Sequence, residues 1–240
     1  MKVKTIYIWL MLATALLTSC DYEAIRPSGE VTSREVSVSN YNSIEVSDAF
    51  EVHVFFSDTE EKITIEANSD LHNKVVVENV NNTLIIRLKN RLSIKGKSTL
   101  NAFVTTKNIN NFDVSGAAKI VLYDELISEN SKIELSGASD FFGEVNVNNM
   151  ELRTVGASEI NLFGNINNFK ASLSGASELK DYDLITKNAD INISGASDAW
   201  LSITESLKIE ASGASVLKYK GDATILEQKV SGSAKILKKK

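Results

Sequence analysis

Through most of this chain apolar and polar residues alternate with period two, and short turns interrupt the alternation at nearly even intervals. From residue 108 onward the turn is Ser-Gly-Ala-Ser or a close variant, centred on Gly116, Gly137, Gly156, Gly175, Gly195, Gly213 and Gly232. Successive glycines stand 21, 19, 19, 20, 18 and 19 residues apart. Four residues before each glycine stand Phe112, Ile133, Leu152, Ala171, Ile191, Ile209 and Gln228. Two before it stand Val114, Leu135, Thr154, Leu173, Ile193, Ala211 and Val230. Four after it come Ile120, Phe141, Ile160, Leu179, Ala199, Leu217 and Ile236. Residues between these positions are mostly polar or charged. This is the pattern of strands with one buried face.

Each repeat therefore reads as one strand before the glycine and one after it. A second turn rich in Asn and Asp, such as Asn146 to Asn149, closes the coil. Glycine supplies a positive φ that other residues resist. The alanine after it suits a tight inward corner, and the serines satisfy backbone groups locally. One repeat cannot bury its apolar face alone, whereas stacked repeats can. The expected fold is an all-β solenoid with coils about 4.8 Å apart.

The N-terminal half is less regular. Ile44/Val46, Val52/Val54/Phe56, Ile63/Ile65/Ala67, Val75/Val77 and Leu84/Ile86/Leu88 also alternate, and Ile65 and Ile86 are again 21 residues apart. Residues 31–107 are expected to form less regular coils of the same stack, to which a paired-strand cap can be added, continuous as one domain with the regular repeats of 108–240.

The chain opens with Lys2 and Lys4, an apolar run from Ile6 to Leu17, and then Leu17-Thr18-Ser19-Cys20. The run is short for a bilayer span and has the layout of a secretory signal, expected over residues 1–19. The ending resembles the bacterial lipoprotein signal. That resemblance implies cleavage before Cys20, lipid on its thiol and new amino terminus, and membrane attachment by more than one acyl chain. Cys20 is the only cysteine, so an internal disulfide and a multi-cysteine metal site are both excluded. Residues 20–30, with Pro27 and Gly29, read as a lipid-anchored tether. Without the leader the chain has 24 basic and 31 acidic residues, a net charge of −7. That balance argues against nucleic acid as a partner.

The period is not the 18-residue, six-fold pattern of hexapeptide acyltransferases, and the glycine-rich calcium-binding nonapeptide is absent. Three features together resemble a family of Bacteroidetes envelope proteins, the putative autotransporter adhesin, head GIN domain family. They are the lipoprotein start, the opening Tyr41-Asn-Ser-Ile44-Glu-Val46 followed by Phe50-Glu-Val52-His-Val54, and the serial Ser-Gly-Ala-Ser turns. The resemblance covers residues 31–236. It implies a right-handed parallel β-helix, no established catalytic residues, and cell adhesion as the proposed role.

Candidate chemistry is sparse. Three residues after each glycine stand Lys119, Asp140, Glu159, Glu178, Asp198, Val216 and Lys235. Asp140, Glu159, Glu178 and Asp198 should stack outward on consecutive coils, as a solvated edge, a cation-binding ladder or the acids of an enzyme. Five residues after each glycine stand Val121, Phe142, Asn161, Lys180, Trp200, Lys218 and Leu237. Strict alternation puts Phe142 and Trp200 outside, where aromatic rings meet sugars or partners; a local bulge would turn them in. His53 should face outward, and it and His72 are the only histidines. No nucleophile elbow, phosphate loop or dinucleotide fingerprint occurs, and no cofactor is expected.

The leading expectation is a non-catalytic envelope module, anchored by lipid at Cys20, that presents a β-helix surface to a glycan or protein. It would sit on the outer membrane, exposed at the surface or facing the periplasm. The alternatives are a polysaccharide-active lyase or glycosidase on the same fold, and a structural or sensing envelope protein without an external ligand.

Overall fold

The computed structural model describes residues 23–89 and 92–240. The leader and Cys20 lie outside the described residues. Among those residues there is no α-helix, and one 3₁₀ turn occurs at His72–Lys74.

The repeats form a parallel β-solenoid. The strands Asp140–Gly156 and Glu159–Gly175 pair in parallel along their whole lengths, from Asp140 against Glu159 to Gly156 against Gly175. Leu126–Gly137 precedes them in the stack; Leu184–Ile193, Asp198–Ala211 and Thr224–Val230 follow. The expected pair of separate strands per repeat is merged in the middle coils, where one strand of 17 residues runs through a corner. At that corner the alternation slips: Val147 and Met150 are both buried, with Asn148 and Asn149 between them. A further bend falls at residues of positive φ, Gly164, Asp181 and Gly221.

The glycine corner is a backbone ladder. The amides of Ala138, Ala157, Ala176, Ala196 and Ala214 each donate to the carbonyl of the glycine one coil earlier, at 2.7–2.8 Å. The glycines have φ between +68° and +118°. A Cβ added at Gly137 would lie 2.6 Å from the Gly116 carbonyl oxygen. The alanines, expected to point inward, are exposed. The inward residue is the serine that follows: Ser139, Ser158, Ser177, Ser197 and Ser215 are 0–2% exposed. A hydroxyl fits there because it can turn back on the corner, as Ser139 Oγ does by donating to the Ser136 carbonyl at 2.6 Å.

The first coils are assembled out of chain order. The coil of Ser43–Val46 and Glu51–Phe56 lies between that of Thr83–Leu88 and Leu100–Thr106 and that of Asn111–Val114 and Lys119–Leu122. Asp48 takes the glycine position there, with φ +60°, and its carboxylate accepts the Leu88 amide at 2.9 Å. The expected cap is present: Lys62–Asn68 pairs antiparallel with both Val31–Val36 and Leu100–Thr106, and Val75–Val80 pairs antiparallel with Thr83–Leu88. The 21-residue interval from Ile65 to Ile86 is therefore not a coil. Ile65 pairs antiparallel with Ala102 and Arg34, while Ile86 pairs with Val46 and Val77.

The described part of the segment read as a tether is held against the cap. Glu23–Ile25 pairs in parallel with Leu92–Ile94, and the Ser28 amide donates to the Asp70 carboxylate at 3.0 Å.

One core runs the length of the stack, from Tyr41 to Tyr219. Full burial of a Leu or Ile contributes roughly 1.5–3 kcal/mol before ordering entropy is subtracted. At the far end the coil is bare: Thr224–Val230 is exposed at every position.

Candidate functional site

Two outward faces of the solenoid carry organised chemistry. The first follows the glycine corner. Strand register places Asp140 against Glu159, Glu159 against Glu178 and Glu178 against Asp198. The four acids therefore do stack on consecutive coils. They are not a bare anionic edge, because Lys180 sits 3.1 Å from Glu159 and 3.0 Å from Glu178, and Lys119 lies 3.3 Å from Glu51. The Asp140 carboxyl is pushed above the usual carboxylate range, first by partial burial and then by Glu159 beside it. No cluster of three or more His, Cys, Asp or Glu in ligating arrangement occurs among the described residues.

Beside the acids runs a stripe of rings. Phe142 is 41% exposed and lies 5.8 Å from Phe163. Trp200 is half-buried, outward, with the Lys218 ammonium 4.8 Å from its ring centre. Tyr182 carries Lys220 in the same way at 4.5 Å. Towards the cap, His53 stacks on Phe103 at 4.8 Å, and Phe55 stacks on Tyr123 at 4.7 Å. Outward alternation thus holds for Phe142 and Trp200, with no bulge. His53 is outward too, but its side chain is only 13% exposed because Phe103 and Tyr123 cover it. His72 lies on the 3₁₀ turn, bonded to Thr32. Phe163, Tyr182 and Tyr123 were missed. All three stand seven residues after a corner glycine, and reading that column would have found them.

The second face precedes the glycine corner. It begins at an asparagine ladder, in which Asn149 donates to Asn130 at 3.1 Å, Asn168 to Asn149 at 2.9 Å and Asn188 to Asn168 at 3.2 Å. Ser206 Oγ ends the chain by donating to Asn188 at 2.7 Å. Next to it Lys132, Glu151, Lys170, Asp190, Lys208 and Glu227 form a column of alternating charge. A groove of about 650 Å³ lies along this face, lined by the asparagines and by Lys132, Glu151, Lys170, Asp190 and Lys208. Near the cap, Glu45, Asp113 and Glu134 stack as a second acidic column. Burial first, and then the two flanking acids, push the Asp113 carboxyl up. The groove does not reach Asp140, Glu159, Glu178 or Asp198, which stand on the open face.

The fold and its surface define a repeat-built β-solenoid with open, ladder-bearing faces. The family described as "Putative auto-transporter adhesin, head GIN domain" matches residues 40–223, and the chain belongs to that family. Among solved structures, a "putative adhesin" from Bacteroides fragilis is similar over 90% of this chain and 100% of its own, with a TM-score of 0.82 at 20% identity. A "putative adhesin" from Parabacteroides merdae gives a TM-score of 0.69 at 19% identity, covering 90% of this chain and 99% of its own. A "Putative lipid binding protein" from Parabacteroides distasonis gives 0.66 at 18%, covering 91% and 100%. At these identities the likeness shows the fold alone. No curated protein matches the sequence. An adhesin-like binding module of the cell surface or envelope is consistent with this family.

Proposed function

We propose that the chain is a non-catalytic binding module whose ligand surface is the aromatic and acidic face after the glycine corner, and that lipid at Cys20 anchors it to the outer membrane. The observation that carries the reading is the run of outward rings, Phe142, Phe163, Tyr182 and Trp200, on neighbouring coils. Rings fixed in this way offer apolar area at little entropic cost, and acids and lysines beside them supply hydrogen bonds to hydroxyl-rich chains. A glycan is the ligand class this chemistry suits best, with an extended protein segment as the other. The lyase or glycosidase alternative is less well supported. A glycosidase needs two carboxylates flanking a bound sugar, and the groove along the solenoid is not lined by these acids.

The test is a glycan and host-protein array probed with the whole chain and with Trp200→Ala. The expected result is binding to a small set of ligands, weakened at least roughly tenfold by the substitution, as loss of a central aromatic contact produces. Equal binding by the two proteins would remove this face from the account.

A further inference from the structure

The charges before the glycine corner are arranged with a two-fold symmetry over six coils. Strand register places Lys132, Glu151, Lys170, Asp190, Lys208 and Glu227 in one column. The column beside it reads Glu134, Arg153, Ser172, Asn192, Glu210 and Lys229 over the same six coils. Read from the opposite end, the first column presents the opposite charge at all six levels and the second at its four charged levels, with Ser172 and Asn192 neutral in the middle. Both columns reverse about the same point, between the coils of Lys170 and Asp190.

We propose that this face is a docking surface for a second copy of the same chain, laid face to face and antiparallel. The two-fold axis lies in the contact plane, perpendicular to the solenoid axis. That operation sets each column on its own counterpart in reverse order, which is the condition for an isologous interface. Lys170 of one copy then meets Asp190 of the other, Glu151 meets Lys208, and Lys132 meets Glu227. In the second column Arg153 meets Glu210, Glu134 meets Lys229, and Ser172 meets Asn192. Every pair occurs twice.

Two further observations favour this partner. The central charges make no close ion pair: Glu151, Arg153, Lys170, Asp190 and Lys208 form no salt bridge among the described residues, and Glu151 and Lys208 act on Lys132 and Glu227 only from a longer distance. The peripheral ones are already paired, Lys132 with Glu134 at 2.7 Å and Lys229 with Glu210 and Glu227 at 2.6 and 2.7 Å. The size also suffices. Six coils at about 4.8 Å, crossed by about seven residues at about 3.3 Å each, give roughly 700 Å² per copy, in the range of specific interfaces. The aromatic residues Phe142, Phe163, Tyr182 and Trp200 lie beyond the glycine corner and take no part in these pairs.

The proposal is tested with the whole chain, isolated from membranes in detergent, by sedimentation equilibrium and by cysteine cross-linking. Wild type is expected to dimerise, less strongly as salt rises. Glu151→Lys sets like charges opposite each other and should raise the dimer dissociation constant at least roughly tenfold. The double variant Glu151→Lys with Lys208→Glu restores the antiparallel match and should restore dimerisation. Within one copy that same double variant puts three lysines and then three acids side by side. A purely intramolecular role therefore predicts further loss instead of rescue. Should the charge variants fold poorly, Glu151→Cys with Lys208→Cys should give a covalent dimer under mild oxidant, and neither single variant should. A wild-type chain that stays monomeric at high concentration, a double variant without rescue, or equal cross-linking by the single variants would overturn the proposal.

Discussion

Ala157 donates its amide to the carbonyl of Gly137 at 2.7 Å, and that same carbonyl oxygen occupies the space a side chain on Gly156 would need. The corner therefore imposes two demands on Gly156: a φ of +118° and no Cβ. Gly156→Ala is expected to cost about 2–4 kcal/mol, combining left-handed strain with overpacking against backbone. Ala157, exposed beside it, should tolerate Ser with a change of less than about 0.5 kcal/mol. Urea unfolding of the two variants checks the contrast, and equal effects would contradict it.

Thr154 stands in the column of Leu135, Leu173 and Ile193, 1% exposed, and its hydroxyl has no hydrogen-bond partner among the described residues. Replacing a buried unpaired hydroxyl by a methyl removes a desolvation cost. Thr154→Val should therefore stabilise the chain by about 1 kcal/mol, seen as a shifted denaturation midpoint at constant slope. A destabilised Thr154→Val would show that the hydroxyl is used.

The asparagine ladder is held by side-chain amides at exposed or half-buried positions. Asn168 is its centre, donating to Asn149 and accepting from Asn188. Asn168→Ala breaks two of these bonds and should cost about 1 kcal/mol, a modest sum because water competes at this surface. Amide hydrogen exchange should quicken around residues 149, 168 and 188 and stay unchanged at the glycine corner. Uniform protection throughout would mean that the ladder contributes nothing.

Asp140 gives a pH signature. Its carboxyl is raised above the ordinary value of 3.8 by partial burial and by Glu159. A raised acid is ionised at a cost in the folded state, so stability falls as pH rises from 3.8 through the folded value. Asp140→Asn should accordingly melt higher than wild type at pH 7. The difference should shrink as pH falls toward 3.8, because wild type then takes up the proton. A lower melting temperature for Asp140→Asn at pH 7 would reverse the assigned cause.

The regular repeats were legible because every glycine carries the same two constraints, and period-two alternation then fixes which columns face in. Phe141 and Leu152 could be assigned to the core from position alone. The serine and alanine of the turn could not, since their burial depends on which residue the backbone turns inward at the corner. The out-of-order first coil was hidden because Asp48 does the work of a glycine, so Val46-Ser-Asp-Ala did not register as a turn of the series. The interval from Ile65 to Ile86 misled for a related reason: antiparallel strands alternate just as coils do, and alternation carries no strand direction. Of the candidate face, Phe142, Trp200 and the acid ladder follow from spacing. Phe163 and Tyr182 lie one column further on, beyond the positions that alternation around the turn had singled out. The charge columns before the glycine look like an ordinary solvated edge until register shows which residues neighbour which.

Ligand binding by the aromatic face is measured by adhesion of beads coated with the whole chain to target cells. Three proteins are compared: wild type, the Phe142→Ala/Phe163→Ala/Trp200→Ala variant, and the Glu151→Lys/Lys208→Glu variant on the face before the glycine corner. Adhesion should fall at least roughly tenfold for the aromatic variant, as loss of clustered aromatic anchors predicts, and persist for the charge-swapped one. Full adhesion by the aromatic variant, with all three proteins equally folded, would show that binding does not reside on this face.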